Sequence, residues 1–387
     1  MVNLDNQFFA LLRFSLGIDR KFIFRPTAGE WMQLYDQACK QRLVGVMFEG
    51  VSQLPEDYFE SASSNGTAPE AYMPQQLAMQ WAYNAEVIAG LNDLQNRKAA
   101  ELTERFEQQG HHTAILKGQA NALLYPNPLS RQPGDIDIYV DGGRERVGTT
   151  LNSLGMGEDA DASTPHHFHL SPDEDGIEVE VHFKPSSANF NPATSKRLLE
   201  YLEQQLDSGA AMCSSGFRIP STAFALAMQL AHINRHIVER GVGLRQITDY
   251  YLLLQSSTNE ERRQFARMLK KFGLLHVANA LMWVLGEIFH HPKNQMMVRP
   301  DARRGKWLMR KIIDGGNFGI YTASPQGSPW QLIFKGRLAL LQLTWFSPSD
   351  SLYILKTEIK QWRYWLSTIP ERIRQRSLFL TLKKTRK

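Results

Sequence analysis

The chain has 387 residues, 43% of them apolar and 21% charged, with a formal net charge of +5. That is the composition of a folded protein rather than a disordered one, and the length holds two or three packed units. Cys39 and Cys213, far apart and without a CxxC, exclude a zinc ribbon or a disulfide scaffold and suit a reducing compartment.

Residues 1–110 read as an N-terminal helical region, with periodic apolar positions over 5–16 and 29–53. A long helix is expected from Pro74 to Gln109, since Leu77, Trp81, Ile88, Leu91, Leu94, Leu102 and Phe106 fall near helical spacing and Gly110 can stop it. The polar stretch 61–69, SASSNGTAP, reads as a loop. Residues 111–215 carry an α/β pattern: strands over 112–116 and 135–140, a turn or two of helix over 119–124, and a helix over 143–154. Two further strands, 166–170 and 176–183, flank the turn-rich SPDED. Residues 216–295 return to helix over 221–239, 244–254, 259–272 and 274–289. Residues 296–387 read as less regular helix broken at Pro325, Pro329 and Pro348. The expected class is α+β: a small mixed sheet embedded between helical regions.

The chemistry concentrates in RQPGDIDIYV, residues 131–140. In a strand, side chains repeat every two residues, so Asp135 and Asp137 share a face. Two adjacent carboxylates repel, and a divalent cation such as Mg²⁺, which favours carboxylate and phosphate oxygens, is the usual compensation. The bland alternative is a strand edge or turn at Gly134. In EVEVH, residues 178–182, Glu178, Glu180 and His182 alternate with apolar residues, so one face is core and the other carries chemistry. Spacing alone leaves open which glutamate faces Asp137, and whether His182 orients a carboxylate or ligates a metal.

Gly118 sits where a strand turns into a helix, and without a Cβ it lets phosphate approach backbone N–H groups. Lys117 beside it can supply charge. Arg131 can hold phosphate bidentately or pair with Asp135 or Asp137. His232 and His236 have helical i,i+4 spacing but lack the zincin glutamate, so each reads foremost as a core or capped histidine. Arg245 and Asp249 can form a salt bridge or face a cleft. His167 and His169 share a strand face next to His166, without a cysteine partner for zinc.

The stretch LKGQANALLYPNPLSRQPGDIDIYV, followed by Glu180-Val181-His182, resembles a bacterial family described as uncharacterised nucleotidyltransferases, within the superfamily related to DNA polymerase β. Leu116-Lys117-Gly118, Tyr125-Pro126, Arg131 and Gly134-Asp135-Ile136-Asp137 carry the likeness, which spans roughly residues 85–255. The resemblance implies Asp135, Asp137 and Glu180 as the catalytic, metal-holding carboxylates for Mg²⁺ or Mn²⁺. It favours Glu180 over Glu178 and implies Lys117, Gly118, Gln119, Arg131, His182, His232 and Asp249 as nucleotide-binding positions. The superfamily generally has serine where this chain has Gln119, which puts the usual serine–phosphate contact in question. The activity implied is transfer of a nucleotidyl group from an NTP to a hydroxyl-bearing acceptor. The alternatives are a catalytically weak nucleotide-binding scaffold and a nucleic-acid-binding module.

The last alternative rests on the C-terminal tail. From Lys356 onward ten basic residues face two acidic ones, an excess of +8 that leaves the rest of the chain at −3. Trp362, Tyr364 and Trp365 are interleaved, a pattern for nucleic acid or an anionic surface, although charge runs are commonly just solvated faces. The first residues lack the pattern of a secretory leader and no apolar run reaches the roughly 20 residues that span a bilayer. The expected location is the cytoplasm.

Overall fold

The computed structural model describes residues 2–59, 71–157, 160–161, 163–172, 174–321, 341 and 343–360. Helices α1 (Val2–Ser15), α2 (Ala28–Gln41) and α3 (Val44–Val51) come first. The periodic stretch 29–53 is therefore two helices. Arg42 adopts left-handed backbone (φ 57°), and its N–H closes α2 on the Ala38 and Cys39 carbonyls. The opposite end of α2 carries a reciprocal cap between Thr27 and Glu30. Helix α4 (Gln75–Gln108) follows Pro74 and ends before Gly110 at φ +77°, as the proline-first, glycine-last rule predicts.

The sheet comes next: β1 (Thr113–Ile115), the single turn α5 (Gln119–Ala122), β2 (Ile136–Val140), α6 (Gly143–Ser153), β3 (His167–Leu170) and β4 (Val179–His182). Its order is β1-β2-β4-β3, with β2 and β4 parallel and both outer pairs antiparallel. Ile136, Ile138, Phe168, Leu170, Val179 and Val181 pack on one face against α4 and α6, through Leu102, Phe106, Val147 and Leu151. The other face is left for polar side chains.

Helix α7 (Pro192–Asp207) was not expected, although Asn191 caps it, Pro192 occupies its first turn and Leu198 and Leu202 bury one face. A short hairpin, β5 (Ala211–Met212) and β6 (Arg218–Ile219), leads into α8 (Thr222–Glu239), α9 (Leu244–Ser256), α10 (Asn259–Met268), α11 (Leu275–Phe289) and α12 (Ala302–Gly315). These helices and α1–α3 share a second, larger core. Residues 343–346 and 348–360 are helical, and Asp350 ties that segment to α8 and α7 by accepting from Asn234 Nδ2 at 2.7 Å and the Asn191 backbone N–H at 2.9 Å. The α+β class holds, with a small mixed sheet flanked by helices. The loop expected over 61–69, the breaks at Pro325 and Pro329 and most of the basic tail, 361–387, lie outside the described residues. Among the described residues, no helix is long and apolar enough to cross a membrane.

Candidate functional site

The segment before β2 is held from two sides. Asn92 of α4 donates to the Arg131 carbonyl at 2.6 Å, and Gln95 donates to that of Gly134. From α9, Arg245 Nη1 donates to the carbonyls of Gln132 and Pro133 at 3.0 and 3.2 Å. Carbonyls taken wholly or partly out of water need donors, and these side chains supply them, which fixes where Asp135 leaves the loop. Asp135 itself precedes the first strand residue rather than opening the strand. It still reaches the same side as Asp137: Lys117 Nζ lies 3.9 Å from Asp135 Oδ2 and 3.1 Å from Asp137 Oδ2.

The parallel register sets Asp137 directly beside Glu180. Glu178 lies outside β4 and is exposed. His182 Nε2 donates to Asp137 Oδ1 at 3.0 Å and to Glu180 Oε2 at 3.1 Å, so it orients both carboxylates. Burial pulls the His182 imidazole towards neutrality, but those two bonds outweigh it and raise its pKa. Burial likewise disfavours the Lys117 ammonium, yet Asp137, Asp135 and Glu180 together hold it protonated. Burial pushes the Glu180 carboxyl up, and the His182 bond and the Lys117 charge overcome that and keep it well below its ordinary value. The repulsion that a divalent cation was invoked to relieve is thus relieved in this structure by the chain's own lysine and histidine.

The donor set still suits a cation. Asp137, Glu180 and His182 offer ligand atoms all within 4.8 Å of one another. Asp137 is buried, and among the described residues its Oδ2 is approached only by Lys117 Nζ, at 3.1 Å. A carboxylate oxygen paired only with an ammonium can exchange that partner for a hard divalent ion.

Gly118 joins β1 to α5 with φ +63° and ψ −104°, a conformation open to glycine and strained for other residues. A Cβ there would come 3.3 Å from the Asp135 carbonyl oxygen. Gln119 is buried and its side chain turns away, donating to Asn96 Oδ1 at 3.0 Å and the Asn92 carbonyl at 3.3 Å on α4.

Arg131 pairs with neither Asp135 nor Asp137. Its guanidinium grips Asp249 of α9 bidentately, Nε to Oδ1 and Nη2 to Oδ2, both at 2.8 Å. Tyr125 Oη donates to Asp249 Oδ1 at 2.7 Å, and Asn121, itself bonded to Gln229, donates to Oδ2 at 3.3 Å. Of the two readings of Arg245 and Asp249, a mutual salt bridge or a place facing a cleft, the second matches their common place in the lining of one pocket, with Asp249 held by Arg131. Burial raises the Asp249 carboxyl, but Arg131 more than reverses it and leaves the pKa low. Arg245, buried close to Arg131, is held down to about 10. Sequence reading missed Asn121 as a partner of Asp249 and Gln229 as a partner of Asn121, because bonds between residues more than a hundred apart leave no periodic trace.

A cleft of about 830 Å³ opens over the polar sheet face, walled by Lys117, Asp135, Glu180, His232, Arg235 and Arg245. His232 and His236 stand in its wall with their Nε2 atoms 2.9 Å apart, and burial above all drives both imidazoles towards the neutral form. A smaller pocket beneath is lined by Gly118, Asp137, Arg131 and Asp249. Lys117, Asp135, Glu180 and His232 therefore line the cleft, Asp137 lines the smaller pocket, and His182 is buried against Asp137 and Glu180, whereas Gln119 lines neither.

The mixed four-stranded sheet thus presents an aspartate pair and a third carboxylate from the neighbouring strand to one side of the sheet. A family model described as uncharacterised nucleotidyltransferase matches residues 27–290, and the chain belongs to that family. Among solved structures, an antigenic nucleotidyltransferase-like protein from Paracoccidioides brasiliensis is similar at 14% identity and a TM-score of 0.29, covering 50% of this chain and 91% of that one. No curated protein matches the chain.

Proposed function

We propose that the chain transfers an NMP group from an NTP to a hydroxyl-bearing acceptor, with Mg²⁺ or Mn²⁺ held by Asp135, Asp137 and Glu180. The observation that carries this reading is the β2–β4 register, which sets Asp137 beside Glu180 while Lys117 draws Asp135 to the same side. In an in-line displacement the acceptor oxygen bonds to the α-phosphorus, the bond to the β-phosphate oxygen breaks, and pyrophosphate leaves. The bound ion supplies Lewis-acid polarisation and neutralises the phosphate charge. Everything else falls to the chain. Lys117 swings from the carboxylates to the phosphates. The glycine at 118 lets the backbone approach them. Arg235 and Arg245 add positive charge at the cleft wall. His182 keeps two carboxylates aligned, and Glu180, more exposed than Asp137, serves as third ligand or as the base that takes the acceptor's proton. The Arg131–Asp249 knot positions the loop that carries Asp135 rather than touching phosphate, and His232 flanks the nucleotide.

Titration calorimetry with each NTP in Mg²⁺ or Mn²⁺ tests the reading. Saturable binding is expected, lost when Asp135 and Asp137 are both replaced by alanine. Absence of binding with either ion overturns it. Incubating the chain with each labelled NTP and a cell extract then identifies the acceptor, and binding without any labelled product would favour the scaffold reading. Residues 1–110, 111–215, 216–295 and 296–387 remain the working division of the chain, with the cytoplasm as its proposed place and the basic tail as a candidate for anionic partners.

A further inference from the structure

Strand β4 lies between β2 and β3, so Glu180 has Asp137 on one flank and the histidines of β3 on the other. The antiparallel register sets His169 opposite Glu180 and His167 opposite His182, all four on the cleft face. His167 Nδ1 lies 3.6 Å from Glu180 Oε2 and His169 Nδ1 lies 4.0 Å from Glu180 Oε1. One donor atom from each residue falls within 4.8 Å of the others. Tetrahedral zinc, with bonds of about 2.0–2.1 Å, needs donors about 3.4 Å apart. Modest side-chain rotation closes the difference, and His169, with 39% of its side chain exposed, is free to turn.

A second observation points to a ligand. His167 is 8% exposed, and its Nδ1 atom is buried without a hydrogen-bond partner among the described residues. A buried nitrogen left unsatisfied is unfavourable, and Nδ1 is the atom that faces Glu180. Two imidazoles and one carboxylate form a borderline donor set, which prefers Zn²⁺ to the hard Mg²⁺.

We propose that His167, His169 and Glu180 form a zinc site distinct from the aspartate pair, and that zinc bound there takes Glu180 out of the catalytic set. The second half rests on the reading of Glu180 as a catalytic carboxylate; the first half does not.

The untagged full chain is titrated with Zn²⁺ against a chromogenic chelator. One equivalent should bind, with affinity reduced at least about tenfold in His169→Ala and unchanged in Asp135→Asn. No stoichiometric uptake overturns the site, as does equal uptake by His169→Ala. An equal loss in Asp135→Asn also overturns it, by placing the zinc on the catalytic carboxylates. Calorimetry in Mn²⁺ then compares NTP affinity with and without one equivalent of zinc. Zinc should weaken it in the wild type and leave it unaltered in His169→Ala; no weakening in the wild type overturns the competition. If NTP binds under no condition, the nucleotidyltransferase reading and the competition fail together, while the chelator titration still decides the zinc site.

Discussion

Two clusters of opposite charge sit within one loop's reach of each other, and they are built differently. In the knot of Arg131, Asp249, Tyr125 and Asn121, both Asp249 oxygens are bonded and every partner is buried. At the carboxylate face, by contrast, Lys117 makes one close and one long ion pair, Asp137 Oδ2 has that single ammonium as its partner among the described residues, and Asp135 and Glu180 are partly exposed. A saturated pair holds position. An unsaturated one can exchange its partner for a ligand.

The sharpest way to break that contrast is to cut the knot. Arg131→Met leaves Asp249 buried with its main cation gone, and loss of one partner of a buried pair costs about 3–5 kcal/mol. Denaturant unfolding should show that drop, and a loss below 1 kcal/mol would mean the knot is not structural. Asp137→Asn probes the other cluster. It should reduce nucleotidyl transfer more than about a hundredfold, beyond the 10–100-fold that losing even an outer-shell partner costs, with melting temperature nearly unchanged because carboxylate repulsion falls along with the Lys117 attraction. A large fall in melting temperature would make this cluster structural as well. Gly118→Ala tests the turn between them. The strained backbone should cost about 1–3 kcal/mol, read by the same denaturant curve, and wild-type stability in this variant would show that the turn relaxes.

The smallest effect concerns the cleft wall. Burial holds the His236 imidazole down to about 4, with Lys117, Arg235 and Arg240 adding to it and Asp135 opposing, and its neighbour His232 is also held low. An unfolded histidine titrates near 6.5. The folded state therefore binds fewer protons in between, so the stability His236 contributes is complete above pH 6.5 and is lost as pH falls towards about 4. The denaturant midpoint should be lower at pH 5 than at pH 7.5, and His236→Gln should reduce that difference. An unchanged difference would exclude this histidine as its source.

Period-two alternation made the chemical face of β4 legible, because Glu180 and His182 alternate with the buried Val179, Val181 and Phe183. The aspartate pair was legible for the same reason, although Asp135 reaches the face from the loop and not from the strand. What the sequence hid lies in long-range choices. Nothing local says that Arg131 will prefer an aspartate 118 positions away over one four positions away, since that choice depends on how α9 packs. The neighbouring strands β3 and β4 were legible as the two arms around SPDED, whereas the register that sets His169 opposite Glu180 was not. Helix α7 is a different kind of miss: its cap, proline and leucine spacing were all present in the sequence.

Helix α4 has a mechanical consequence. Its first half places Leu77, Trp81 and Ile88 in the larger core, and its second half places Ala99, Leu102 and Phe106 under the sheet. At about 1.5 Å per residue it is a rod of about 51 Å shared by both. Neither core can melt without stripping packing from half of that rod, and a helix freed at one end frays into the other. Two cores joined by such a splint behave as one cooperative unit. Amide exchange along Gln75–Gln108 should then fall into a single class of protection rather than one for each core.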